Sequence, residues 1–325
     1  MISPAVEQIW RPRVIPNVKP AFLATEKRVF GRFGLEPSGR LIELADPPVS
    51  LRLLETGIGE PVVFLHGISL ASAHWAPIIA RLRSNRCTMI DMPGHGGSAA
   101  VDFGGIDLRQ WHNKMLIALL DQLSLPSAHI VGHSYGGMIG MWLALDAPAR
   151  VRTVVSIGTP SLAFGARPDL MFRASAMRAV GPLMLRSAMP GFVHRAVLAR
   201  ALGRPAIKAA APDLIRVAYL ATRRPGFATT ASRYLREQFR GPRATPPRYQ
   251  LTDGELARIE RPVLVVWGDR DTRYQPIEEG RQKAALMPQG RFELVPGGHA
   301  PWLDNTEACA RVVASFLDHA RAAAA

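Results

Sequence analysis

Val131-Gly132-His133-Ser134-Tyr135-Gly136-Gly137 is the stretch that decides how the chain is read. Ahead of it, Ala128-His129-Ile130-Val131 is a short apolar run of the kind a buried parallel strand shows. Behind it, Ser134 to Ala147 is nearly all apolar or small, which predicts a buried helix that Pro148 stops. A G-x-S-x-G between a strand and a helix is the context of a nucleophile elbow, a sharp turn that strains its central serine. Bulky side chains at positions 132 and 136 would clash in such a turn.

The same type of apolar run recurs on both sides of the elbow. It appears at Pro61–Leu65, Cys87–Ile90, Val151–Val155, Val263–Trp267 and Phe292–Val295, and Leu41–Leu44 and Leu51–Leu54 read as two further strands. Helical spacing fills the gaps. Leu108, Trp111, Met115, Leu116, Leu119, Leu120 and Leu123 follow Asp107, with Gln110 placed for a capping box. Pro276 sits as a first helical residue before Ile277–Met287, and Asp304 with Glu307 makes another capping box ahead of Cys309, Val312, Val313, Phe316 and Leu317. Short strands alternating with helices argue an α/β fold around a parallel sheet.

Two stretches depart from this alternation. Residues 161–250 read as short helices broken by Pro168, Pro182, Pro190, Pro205, Pro212 and Pro225, with no buried-strand run: a helical insertion, or cap, on the sheet domain. Residues 1–39 carry Pro4, Pro12, Pro16 and Pro20 and show no clean period, as expected of an arm that packs on a domain. The catalytic core is then 40–160 with 251–325.

A serine hydroxyl is a weak nucleophile at neutral pH, so it needs a base, and the base needs an orienter. After an elbow the chain order is serine, acid, histidine. The Val263–Trp267 strand ends in Gly268-Asp269-Arg270-Asp271, and the Phe292–Val295 strand ends in Pro296-Gly297-Gly298-His299. Both loops leave carboxyl ends of strands, where open α/β sheets place their sites. His299 is the expected base. Asp271 is the preferred acid, with Asp269 as the alternative; the one not used has a turn-forming role. The oxyanion of a tetrahedral intermediate must meet preorganised N–H donors. The backbone amides of Tyr135, next after the serine, and of Ile68, in the loop His66-Gly67-Ile68, are the candidates. His66 reads as a hydrogen-bonding brace of that loop. Asp91-Met92-Pro93-Gly94-His95-Gly96-Gly97-Ser98, turn-rich after a strand, reads as a shaping loop near the elbow; a metal role for Asp91 and His95 is the alternative, with no third ligand apparent.

Taken together, His66-Gly67, the 91–98 segment, the elbow, the 268–271 loop and Gly298-His299-Ala300-Pro301 resemble the α/β-hydrolase superfamily, in family order over 40–160 and 251–325. The resemblance implies an eight-stranded, mostly parallel sheet with helices on both faces and a helical cap inserted after the sixth strand. It places the chain in the serine-nucleophile branch, because Ser134 stands where epoxide hydrolases and haloalkane dehalogenases carry Asp. The arm has no counterpart in the minimal fold.

Composition sets the rest. The chain has 325 residues, 48% hydrophobic and 20% charged, which is globular. Cys87 and Cys309, its two cysteines, make no CxxC or disulfide framework. No signal-peptide pattern, membrane-length apolar run, zinc spacing or phosphate loop is visible, so the expectation is a cytoplasmic enzyme without metal or cofactor. The net charge is +14, with 35 Arg and 5 Lys. A coding bias explains Arg over Lys but not its distribution: residues 161–250 carry +13 and the rest +1. The expected reaction is cleavage of a carboxylic ester, thioester, lactone or diketone C–C bond through an acyl-enzyme. Acyl transfer on the same triad and a non-catalytic binder on the same fold are the alternatives. A basic cap rich in Leu and Met fits a small acyl substrate with an anionic group, an acidic carrier, or an anionic membrane surface. No nucleic-acid module is recognisable, so nucleic acid is not an expected partner. Nothing in the sequence sets an oligomeric state.

Overall fold

A computed structural model describes residues 18–324 apart from 83, 168–169, 179, 187–189, 239–248 and 273. Of the sequence expectations, residues 1–17 of the arm, and Asp169, Met189, Arg240, Arg243 and Arg248 of the insertion, lie outside the described residues.

Eight strands form one sheet: β1 (Ser38–Ala45), β2 (Pro48–Thr56), β3 (Glu60–Leu65), β4 (Asn85–Ile90), β5 (Ala128–His133), β6 (Val151–Ile157), β7 (Val263–Gly268) and β8 (Gly290–Val295). Their order across the sheet is β1-β2-β4-β3-β5-β6-β7-β8. Only β2 runs against its neighbours, pairing antiparallel with β1 and β4, and the remaining pairings are parallel. The eight runs read from sequence are these eight strands.

Alternation along each strand supplies two cores, because successive side chains leave opposite faces. Val63, Leu65, Ile130, Val154 and Val265 pack on one face with Met138, Ile139 and Trp142 of the helix Tyr135–Asp146 and with Met115 and Leu119 of the helix Leu108–Gln122. Val62, Phe64, Val131, Val155, Leu264 and Val266 pack on the other with Cys309, Val313 and Phe316 of the helix Thr306–Ala324. The helix after the elbow is buried almost throughout, as its all-apolar sequence requires. Both cysteines are free and buried.

Three local expectations are corrected. The described part of the arm contains a helix, Pro20–Arg32. Pro20 is its first residue, where a missing N–H costs nothing, so a stretch read as having no clean period starts a helix at that proline. Asp304 caps no helix: its carboxylate accepts from Gly298 N at 2.6 Å, and Asn305 takes the capping position by accepting from Ala308 N at 3.1 Å. Pro276 precedes the helix Ile277–Ala285 and is not its first residue. Asp107 caps as expected, accepting from Gln110 N at 3.0 Å.

Between β6 and β7 the described residues form six helices of 6 to 12 residues, from Leu170–Ala176 to Phe227–Gln238, then a short helix at Asp253–Ala257. Polar contacts tie this helical layer down to the scaffold. Arg224 donates to the carbonyls of His95, Gly96 and Ser98, and Arg28 of the N-terminal helix pairs with Asp213 at 3.1 Å.

Candidate active site

Ser134 sits between the end of β5 and its helix with φ 51° and ψ −106°, a conformation few non-glycine residues adopt. Its amide donates to Ile157 O at 3.1 Å and its carbonyl accepts from Met138 N at 3.0 Å, so both sides of the turn are tied down. The flanking glycines are demanded by contact. A Cβ on Gly132 would lie 2.2 Å from Gly136 C, and one on Gly136 would lie 2.0 Å from Leu65 O.

His299 and Asp271 come together from the ends of β8 and β7. His299 Nδ1–H donates to Asp271 Oδ2 at 2.9 Å, and both residues are buried. Oδ2 also accepts from the Thr159 amide and from Thr159 Oγ1, each at 2.9 Å. Burial pushes the Asp271 carboxyl up, but the His299 charge and these donors outweigh it and hold the group below the usual carboxylate range. The ion-pair geometry therefore favours an ionised acid that keeps the proton of His299 on Nδ1 and leaves Nε2 as the basic nitrogen. Asp269, the other candidate acid, is far more exposed and accepts from Gly297 N at 2.9 Å, a turn role.

Three positioning residues carried no sequence signal that was used. Thr159 lies two residues past β6, at the carboxyl end of the strand next to β7, which is the place the strand-end rule points to. Gly158, at φ 72°, lets the chain pass His299: a Cβ there would meet its carbonyl oxygen at 2.4 Å. His133, the residue before the serine, donates Nε2–H to that same carbonyl at 3.0 Å.

Around the elbow, the loops do what the sequence suggested. His66 donates Nδ1–H to Gly67 O at 2.8 Å and accepts from Met92 N at 3.0 Å. Burial, then neighbouring His95, lowers it to about 3, so it stays neutral and braces the loop. Asp91 accepts from Ser72 N, Gly97 N and Arg52, and among the described residues no cluster of His, Cys, Asp and Glu could hold a metal. The network has a member unread in the sequence: Arg52, a β2 residue 4% exposed, lies between Asp91 at 3.0 Å and Glu26 of the N-terminal helix at 2.5 Å.

Ser134 and His299 line a common cleft. Ile68 and Thr159 line it from the scaffold, and Ser161, Leu162, Ala166, Ala201, Leu202, Leu235 and Gln238 from the 161–250 segment. Tyr274 meets the His299 ring edge-on at 4.9 Å. No Lys or Arg is among the described lining residues.

This strand-end constellation, with serine at the elbow, is matched by a family model described as Alpha/beta hydrolase family over residues 62–312. The chain belongs to that family. Among curated proteins, this hydrolase is 27% identical over 293 residues to the 2-hydroxy-6-oxononadienedioate/2-hydroxy-6-oxononatrienedioate hydrolase of Cupriavidus pinatubonensis (strain JMP 134 / LMG 1197), covering 86% of this chain and 95% of that one. It is 26% identical over 276 residues to the 2-hydroxy-6-oxo-6-phenylhexa-2,4-dienoate hydrolase of Burkholderia cepacia, covering 82% and 91%. Its fold is similar to the crystal structure of carboxylesterase CesB (YbfK) from Bacillus subtilis, with TM-score 0.69, 22% identity, and 91% and 96% of the two chains covered. Among the described residues no helix of this hydrolase is long and apolar enough to cross a membrane.

Proposed function

We propose that the protein is a serine hydrolase that cleaves a carboxylic ester through an acyl-enzyme. The observation that carries this reading is the Asp271–His299 pair at 2.9 Å on the cleft that a positive-φ serine also lines. Ser134 Oγ attacks the acyl carbonyl while His299 Nε2 takes its proton. The amides of Tyr135 and Ile68 meet the oxyanion, and His299 returns the proton to the leaving alcohol. Water, activated by His299 in turn, releases the acid. Each step is carried by groups of the chain itself.

A second reading has its own support. Two relatives that align over most of this chain are named as hydrolases of 2-hydroxy-6-oxo dienoic acids, substrates cleaved at a C–C bond.

The test is a p-nitrophenyl ester series varied in acyl length and charge, run beside 2-hydroxy-6-oxo-6-phenylhexa-2,4-dienoate, with Ser134→Ala as control. Faster turnover of the esters, lost at least a thousandfold in Ser134→Ala, supports the leading reading. Faster turnover of the dienoate moves the assignment to C–C hydrolysis. An undiminished rate in Ser134→Ala, or no fluorophosphonate labelling of the folded protein, overturns both.

A further inference from the structure

We infer that the helices following β6 form a docking face for an anionic lipid bilayer. Two independent features coincide on them. The first is charge. From Leu170 to Pro212 the sequence contains no Asp or Glu, while it contains six Arg and Lys208. Arg173, Arg178, Arg195, Arg200, Arg204 and Lys208 are exposed. A solvated surface that needs only solubility mixes both signs; a stretch of 43 residues with one sign is complementary to a surface of the other.

The second feature is apolar exposure. Nine large hydrophobic residues are exposed among the described residues, and five of them, Leu170, Met177, Val180, Leu183 and Phe192, fall in this same stretch. Leu170 is 79% exposed, Leu183 70% and Phe192 77%. Exposed Leu and Phe beside Arg on short helices is the chemistry of an interfacial segment, in which cations meet headgroups and apolar side chains enter the acyl boundary. An acidic protein partner accounts for the charge but does not need this many exposed aliphatic and aromatic side chains.

The face is joined to the active site through one helix. Gly191–Leu202 exposes Phe192 and Arg195 near its start and ends in Ala201 and Leu202, which line the cleft. Its 12 residues span about 18 Å. Leu202 O accepts from the His299 amide at 3.1 Å, so the docking helix ends on the backbone of the proposed base. A lipid-soluble ester would then reach Ser134 from the bilayer over a short path.

Co-sedimentation with vesicles tests this, using the full chain and phosphatidylglycerol/phosphatidylcholine vesicles against phosphatidylcholine alone. The expected result is binding to the anionic vesicles only. Arg178→Gln, Arg204→Gln and Lys208→Gln should each weaken it roughly fivefold, and Leu170→Ser and Phe192→Ser roughly tenfold each. Hydrolysis of a short soluble ester by these variants should match wild type, which shows that they are folded. Equal or absent binding to both vesicles overturns the inference. So does binding that the serine variants leave unchanged, which is plain adsorption of a basic protein, or binding to an acidic acyl carrier protein with vesicles ignored. Binding is read without turnover, so its failure and that of the proposed hydrolysis are told apart.

Discussion

The imidazole of His133 and the backbone of His299 are bonded directly, Nε2–H to carbonyl oxygen at 3.0 Å. The residue preceding the proposed nucleophile thus fixes the loop that carries the proposed base. Burial, then His299, holds His133 well below the ordinary histidine range, so it acts as a neutral donor. His133→Ala should lower kcat about ten- to hundredfold with KM little changed, because the base loses its register and the cleft does not. His133→Gln, which keeps an N–H donor, should recover part of that loss. Steady-state kinetics on a soluble ester checks both.

The two candidate acids give opposite expectations. Asp271→Asn keeps the shape of the pair but presents the wrong hydrogen-bonding partner to Nδ1, and kcat should fall about ten-thousandfold. Asp269→Asn removes only the bond from Gly297 N, and its kcat should stay within about threefold. Similar losses in the two variants would overturn the assignment of Asp271.

Thr159 makes a graded test of the same site. Thr159→Val removes the hydroxyl donor to Asp271 and leaves the backbone donor in place. A buried bond to a charged group contributes about 1.5–3 kcal/mol to stability, so unfolding free energy should fall by up to about that amount, and kcat by up to about a hundredfold as Asp271 loses part of its anchoring.

Arg52 between Glu26 and Asp91 is a stability prediction. Arg52→Met leaves two carboxylates buried without their cation, and unfolding free energy at pH 7 should drop by about 3–5 kcal/mol. Glu26→Gln should cost less, since burial already raises that carboxyl and Asp91 still serves Arg52. Urea denaturation followed by tryptophan fluorescence measures both.

Buried histidines set the acid limit of the fold. Burial holds His74, His95 and His112 down to about 4. Unfolded, each titrates near 6.5, so between 6.5 and 4 the unfolded chain binds more protons than the folded one. Stability is complete above 6.5 and falls as pH drops, by about 1 kcal/mol per pH unit for each imidazole. A melting temperature that stayed flat from pH 7 to pH 5 would contradict this.

Much of the architecture was legible because strands and helices repeat their apolar residues at periods set by the backbone alone. All eight strands and the helix after the elbow announce themselves in this way. Ser134, His299 and Asp271 were legible because each follows a strand end and stands in a fixed chain order. What sequence could not carry is whatever depends on distant chain segments meeting. Arg52 reads as one polar residue in an apolar strand; its worth comes from Glu26 and Asp91, 26 and 39 positions away. Thr159 looks like an ordinary loop residue until β7 brings Asp271 beside it. The charge of the 161–250 segment was legible as a number, but its position outside the described cleft lining was not.

The N-terminal helix has a consequence for how this enzyme can be cut down. Phe22, Val29 and Phe30 are packed into the sheet's core, Glu26 neutralises a cation inside it, and Arg28 reaches Asp213 on the helix Pro212–Ala221. Pro20–Arg32 is therefore a strut between scaffold and insertion and not a trimmable tail. A version begun at Ser38 would keep all three members of the proposed triad. It would nonetheless leave Arg52 half-compensated, an apolar seat bare, and the helices over the cleft without one of their fixings.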